Sequence, residues 1–266
     1  MHHHATSFEL NRQLWNERTK HHTGSKFYDV EAFLAGKNSL TAKELELLGD
    51  LAGKKLLHLQ CHFGQDTLSL ARMGAEVTGL DLSDAAIAEA RKLAATMGIR
   101  AEFNIANVLD FQPQLEGNFD IVFTSYGVLG WLPELDGWAK NIAHYLKPGG
   151  KLVLVEFHPV VWMYNNDFTR VEHSYFNRKR IEEMETSTYA DTSAAINLLS
   201  HTWNHSLSEV FTALLEAGLQ INRFEELDGS PHNCFAGAEQ GPEGMFRITG
   251  LQGKLPMVYA LVAGRR

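Results

Sequence analysis

Lys55-Leu-Leu-His-Leu-Gln-Cys-His-Phe-Gly-Gln-Asp-Thr67, followed by Glu76-Val-Thr-Gly-Leu-Asp-Leu82, reads as strand, tight turn at Gly64, helix, second strand and a carboxylate at that strand's end. In an open α/β sheet this order places an adenosine-type ligand beyond the carboxyl ends of the strands. Gly64 permits close backbone approach, and the helix start behind it offers unpaired N–H groups. A dinucleotide-binding turn would carry G-x-G-x-x-G and hold a pyrophosphate there. Gln60-Cys-His-Phe-Gly64 supplies one glycine, which argues against a pyrophosphate. Asp81 is placed to accept hydrogen bonds from vicinal ribose hydroxyls. Its alternative reading is a helix cap or a solvated aspartate.

The same alternation continues outward. Val77–Leu80, Ala101–Ile105, Phe119–Thr124 and Leu152–Phe157 read as strands. Helices fall over Asp66–Met73, from a Ser83 cap to Met97, and over Leu135–Leu146. Lys147-Pro-Gly-Gly150 stops the last of these. Strands alternating with helices predict a Rossmann-like, seven-stranded mixed sheet with helices on both faces. Residues 1–50 read as an N-terminal helical lid with aromatics at Trp15, Phe27, Tyr28 and Phe33. Residues 51–157 form the cofactor-binding core. Residues 158–203 break the rhythm and read as a small antiparallel insertion covering the substrate, with strands over Val171–Phe176 and Arg180–Met184. Residues 204–266 complete the sheet. There Ser206-Leu-Ser-Glu209 predicts a capping box, and strands follow at Gln220–Phe224 and Pro256–Val262. The glycine-rich stretch 228–254 is too long for a hairpin turn and reads as a functional or mobile loop.

The 266 residues are 44% hydrophobic, enough for a sizeable core without disulfide staples. The two cysteines, Cys61 and Cys234, lie far apart and fit a reducing cytoplasm. No apolar run approaches a membrane span, and Met1–His4 reads as a tag remnant or an ordinary start, not a signal peptide. A formal charge of -8 without a basic stripe argues against nucleic acid as a partner. Asn177–Arg180 is followed by Glu182, Glu183 and Glu185, so it reads as a solvated turn. The two cysteines make no C-x-x-C pair, and no metal is expected.

With these motifs in place, the chain resembles the class I S-adenosylmethionine-dependent methyltransferases of small-molecule type, best over residues 50–160. The family's usual first-strand pattern D/E-x-G-x-G-x-G falls on His58, Gln60, His62 and Gly64, and only the last glycine is kept. The resemblance implies S-adenosylmethionine as cofactor and S-adenosylhomocysteine as product. It implies cofactor contacts from Gln60, Cys61, His62, Gly64, Asp81 and Leu82. Asn107 and Val108 fall where the family reads adenine, although Asn107 is equally a turn residue. Ser125 and Tyr126 leave the fourth strand beside the cofactor sulfur. Tyr28 would close over the cofactor from the lid, whereas the preceding His21-His22 pair reads as a solvated turn.

Methyl transfer to a small-molecule N or O nucleophile is an in-line displacement, in which orientation supplies much of the acceleration. His158, just after the fifth strand, is the candidate proton acceptor, its alternative being a loop histidine bonded to backbone. Trp15, Trp131, Trp203 and His205 are candidate substrate contacts, with core packing as the alternative for Trp203. Two other functions compete: an NAD(P)-dependent oxidoreductase on a similar sheet, and a regulatory protein that binds the cofactor without catalysis. The acceptor and the oligomeric state are not legible in the sequence.

Overall fold

The computed structural model describes residues 4–117 and 119–266; the first three residues of the histidine-rich start lie outside it. Three helices lead, α1 (Ala5–His22), α2 (Val30–Leu34) and α3 (Ala42–Leu48). The core follows as β1 (Lys55–Leu59), α4 (Gln65–Arg72), β2 (Glu76–Asp81), α5 (Asp84–Met97), β3 (Glu102–Ile105), β4 (Phe119–Ser125), α6 (Asp136–Tyr145) and β5 (Leu146–Phe157). An inserted hairpin, β6 (Ile181–Glu185) and β7 (Leu198–Thr202), precedes α7 (Leu207–Glu216) and β8 (Leu219–Leu227). A second small hairpin, β9 (Ala238–Gln240) and β10 (Phe246–Ile248), precedes β11 (Val258–Arg265). No helix among the described residues is long and apolar enough to cross a membrane.

Seven strands form one sheet in the order β3-β2-β1-β4-β5-β11-β8, and β11 alone runs antiparallel to its neighbours. This is the expected mixed sheet. Its central strands are apolar on both faces because helices cover both: Leu56, Leu57, Val122, Phe123 and Leu152–Val155 have no exposed surface. Strand order reverses between β1 and β4, so their carboxyl ends open a crevice.

Local chemistry explains the boundaries. Ser83 caps α5 by accepting from the Ala86 N–H, and Gly98 ends it in the left-handed conformation. Three expectations need correction. Val171–Phe176 forms no strand; it contributes only a bridge from Val171 to Tyr164, and its apolar side chains have no opposing layer. The box expected at Ser206 is half made, because Glu209 turns to His205 and Asn177 rather than back to Ser206. The complete box is at Thr41 and Glu44. The long stretch 228–254 carries the β9–β10 hairpin, and its His232 ring packs edge-on to Tyr126 at 4.7 Å.

Gly64 also has a packing role. It sits at φ +80, and a Cβ there would lie 2.8 Å from the Phe103 ring and 3.0 Å from Ala90. The glycine lets α4 close against the sheet and α5. Gly64→Ala is therefore expected to lose roughly 2–4 kcal/mol of stability in urea unfolding, from overpacking plus a disfavoured backbone. Adding Phe103→Leu should recover the overpacking part and leave the backbone part.

Candidate functional site

The β1–α4 turn carries two non-glycine residues in left-handed backbone, Gln60 at φ 54 and His62 at φ 50. They stand where the common pattern has glycines, so the turn keeps the glycine conformation and adds two side chains. Each such residue costs on the order of 1 kcal/mol or more and persists only where its surroundings hold it. The holding groups are visible. The His62 N–H donates to Asp81 Oδ2 at 2.8 Å, and the Gln60 amide donates to the Val128 carbonyl at 2.8 Å. Cys61, between them, points into the core: its N–H donates to the Leu80 carbonyl, and a Cβ on Gly79 would lie 2.7 Å from its sulfur. Its side chain is therefore not placed for cofactor contact. Burial pushes its thiol up.

Asp81 ends β2 as expected, with Leu82 half-buried beside it. Its other oxygen accepts from the Ser83 N–H at 2.8 Å. Burial raises its carboxyl to about 6, against the opposing pull of the Ser83, His62 and Leu82 N–H groups. Asn107 uses its side-chain carbonyl on the Leu109 N–H at 3.1 Å, the turn reading. Val108 is buried, with its carbonyl accepting from Asn141. Ser125 is half-buried at the β4 exit; Tyr126, at φ 36, places its hydroxyl 3.3 Å from Thr41 Oγ1.

A cover of aromatic and imidazole rings closes over this turn. His22 has no exposed surface, which overturns its reading as a solvated turn. Its Nδ1 lies 2.8 Å from His62 Nε2, and its Nε2 lies 2.6 Å from Thr188 Oγ1. Tyr28 stacks on His22 at 5.1 Å, and its hydroxyl meets that of Tyr189 at 2.6 Å. Trp15 packs edge-on to His62 at 5.2 Å and to Trp131 at 5.3 Å. Arg18 lies over both tryptophans, 5.1 and 5.4 Å from their centroids, and pairs with Glu185 at 2.9 Å. Burial, then Arg18, lowers His62 to about 3. Burial, then His62, Arg18 and His21, lowers His22 to about 2. Both imidazoles are thus neutral.

The cover is one unit built from distant sequence. The Asn11 amide of α1 bonds the His201 backbone of β7 in both directions, at 2.8 and 2.9 Å. Asn16 of α1 accepts from Ser83 Oγ and the Ala85 N–H at the start of α5.

The remaining candidates lie elsewhere. His158 is buried with both ring nitrogens engaged: Nδ1 accepts from the Val160 N–H at 3.2 Å, so Nε2 bears the proton and donates to Glu226 at 2.9 Å. It makes no bond or ring contact with the His22–His62 cluster, and its geometry is that of a loop histidine. Trp203 is buried against His4, and its N–H donates to the Gly130 carbonyl. His205 bridges Glu209 and the Leu132 carbonyl at 2.9 and 2.7 Å. Of the four substrate candidates, only Trp15 and Trp131 reach the cluster.

Glu156 was not singled out from sequence, although a carboxylate inside the apolar run Leu152–Phe157 was the available signal. It is buried and accepts from four backbone N–H groups, those of Gly127, Val128, Leu129 and Phe157. Burial raises its carboxyl while those donors oppose the shift. It shapes the β4 exit loop whose Val128 carbonyl holds Gln60. Glu44 and Asp66, both raised by burial, form a second unforeseen acidic pair near Tyr126.

The chain is similar to known proteins in sequence over part of its length and in fold over most of it. The sequence profile of a methyltransferase domain matches residues 56–150. This stretch, from β1 to the start of β5, is similar to a methyltransferase domain. A ubiquinone biosynthesis O-methyltransferase of Xanthomonas euvesicatoria pv. vesicatoria is 30% identical over 133 residues, 49% of this chain and 55% of that protein. The chain thus spans about half the length of the curated relatives it matches. An S-adenosylmethionine-dependent methyltransferase structure from Mesorhizobium loti superposes with TM-score 0.56 at 18% identity, covering 87% of this chain and 100% of that one. The [4+2]-cyclase SpnF superposes with TM-score 0.59 at 15% identity, covering 97% and 96%. At such identities the likeness is one of fold, and SpnF shows that the methyltransferase fold also serves other chemistry.

Glu156→Gln puts an amide NH₂ against two of the four N–H donors. The expected result is a loss of about 2–4 kcal/mol in urea unfolding and faster hydrogen exchange at Gly127–Leu129, with the rest of the sheet protected as before.

Proposed function

We infer that this chain transfers the methyl group of S-adenosylmethionine to a hydroxyl of a planar small molecule. One observation carries the reading. Gln60 Oε1, His62 Nδ1 and Arg18 Nε are buried without a hydrogen-bond partner, and all three flank the β1–β4 crevice. Buried polar atoms are ordinarily satisfied, so three around one crevice call for a ligand.

The residues fit the cofactor. Asp81 would take the ribose hydroxyls, the Asn107–Val108 turn would border the adenine, and Gln60, Tyr28 and Ser125–Tyr126 would border the methionine portion. The bound cofactor supplies a methyl group activated by a sulfonium cation. The chain's own part is to orient, to exclude water and to tolerate that cation. The Trp15 and Trp131 indoles already hold one cation, the Arg18 guanidinium, over their faces. The neutral state of His22 and His62 removes two competing charges. The hydroxyl acceptor is supported by the O-methyltransferase among the relatives, and a planar one by the paired tryptophans.

Calorimetric titration with S-adenosylhomocysteine tests the cofactor assignment. Asp81→Asn should weaken binding by about 10- to 100-fold with the fold retained, the worth of charge-assisted hydrogen bonds. The pH dependence has a definite sign. The free site holds the Asp81 proton up to about pH 6, whereas hydroxyl donors favour the ionised form. Affinity should therefore tighten as pH rises from 5 to 7 and level off above, with proton release on binding near pH 5.5. The Asp81→Asn protein should show neither. Tight binding of NADH without binding of S-adenosylhomocysteine would overturn the reading.

A further inference from the structure

The geometry points to His62, backed by His22, as the group that receives the acceptor's hydroxyl proton during methyl transfer; this rests on the O-methylation reading above. His62 Nδ1 is buried and unpartnered, while its Nε2 lies 2.8 Å from His22 Nδ1. His22 Nε2 in turn lies 2.6 Å from Thr188 Oγ1. If His62 Nε2 donates to His22 Nδ1, and His22 Nε2 donates to Thr188, each inner nitrogen is satisfied. Nδ1 of His62 is then left with a lone pair and nothing to accept. That is the tautomer a proton acceptor needs; the reverse run, with the Thr188 hydroxyl donating to His22 and His22 to His62, would leave a proton on Nδ1 instead.

The step balances. An oxygen–methyl bond forms as the sulfur–methyl bond breaks, and the sulfur becomes neutral. The hydroxyl proton passes to His62 Nδ1, with its Nε2 proton shared toward His22. One positive charge leaves the sulfur and one appears on the imidazole pair, so the pocket's net charge is unchanged. The groups facing the pair are the Arg18 guanidinium and the His21 imidazole on α1, with the Tyr28 and Tyr189 hydroxyls beside it. Burial and Arg18 keep the pair unprotonated before transfer. Loss of the sulfonium charge then makes room for the proton.

His62→Gly provides a clean test, because glycine favours the left-handed backbone that this position adopts. Catechol and 4-nitrocatechol serve as acceptors at pH 8, the first un-ionised and the second largely ionised. Rates are compared in single turnovers at saturating S-adenosylmethionine, so that loss of the His62 ring from beneath the lid acts on affinity and not on the compared rates. Relative to the parent, the variant's rate should fall on the order of 10²- to 10⁴-fold with catechol and less than about tenfold with 4-nitrocatechol. Nitrogen-15 spectra give a readout independent of turnover. In the S-adenosylhomocysteine complex, catechol should shift the unprotonated His62 Nδ1 resonance, and its dimethyl ether should not. Equal rate losses for the two acceptors would overturn the proposal. So would a selective loss with catechol in His158→Gln instead. A parent protein that binds S-adenosylhomocysteine but methylates neither catechol would overturn the hydroxyl-acceptor reading, and this inference with it.

Discussion

The Asp81 carboxylate gripping the His62 N–H is the contact on which the site depends. It ties the end of β2 to the turn after β1 and holds His62 in a backbone region that a side chain disfavours. Because the turn is held there, the imidazole projects toward α1 instead of the sheet. The lid then acquires something to close on: His22, Tyr28 and Trp15 all pack against that ring. Remove the carboxylate and the anchors of the turn and of the start of α5 are lost together.

A second carboxylate does similar work on the other side of the crevice. Glu156 gathers four N–H groups of the loop leaving β4 and the end of β5, and so fixes the carbonyl that holds Gln60. Both carboxyls are raised by burial, so each tolerates its place through backbone donors rather than through a cation. The charged residue of the cover, Arg18, is instead matched by Glu185 and by two indole faces. Acidic groups thus line the sheet side of the crevice, and neutral rings with one cation line the cover. A cationic cofactor and a planar acceptor suit that division.

Replacing two glycines by glutamine and histidine exchanges backbone ease for side-chain chemistry. The departure from the usual glycine pattern read first as evidence against a pyrophosphate. In three dimensions it is also a gain of function-bearing atoms, since both side chains end in a buried atom without a partner. Gly64, the one glycine retained, is retained for packing against Phe103 and Ala90.

The alternation of strands and helices was legible because each rests on local rules: apolar runs, caps at Ser83 and Gly98, and proline and glycine at Lys147–Gly150. Asp81 was legible for the same reason, being set by the strand it ends. The insertion was misread at Val171–Phe176, where alternation without a facing layer makes no sheet. His22 was misread because nothing within its own helix reports burial; its partners, His62 and Thr188, come from remote segments. His158 looked free by position alone, and only the approach of Glu226 and the Val160 N–H shows its ring engaged. The sequence by itself therefore determined the sheet, the turn and the carboxylate that ends β2, all of which follow from neighbours along the chain. Which histidines meet, and which of their nitrogens stay open, was decided by tertiary structure alone, because burial and hydrogen-bond satisfaction depend on residues brought together from opposite ends of the sequence.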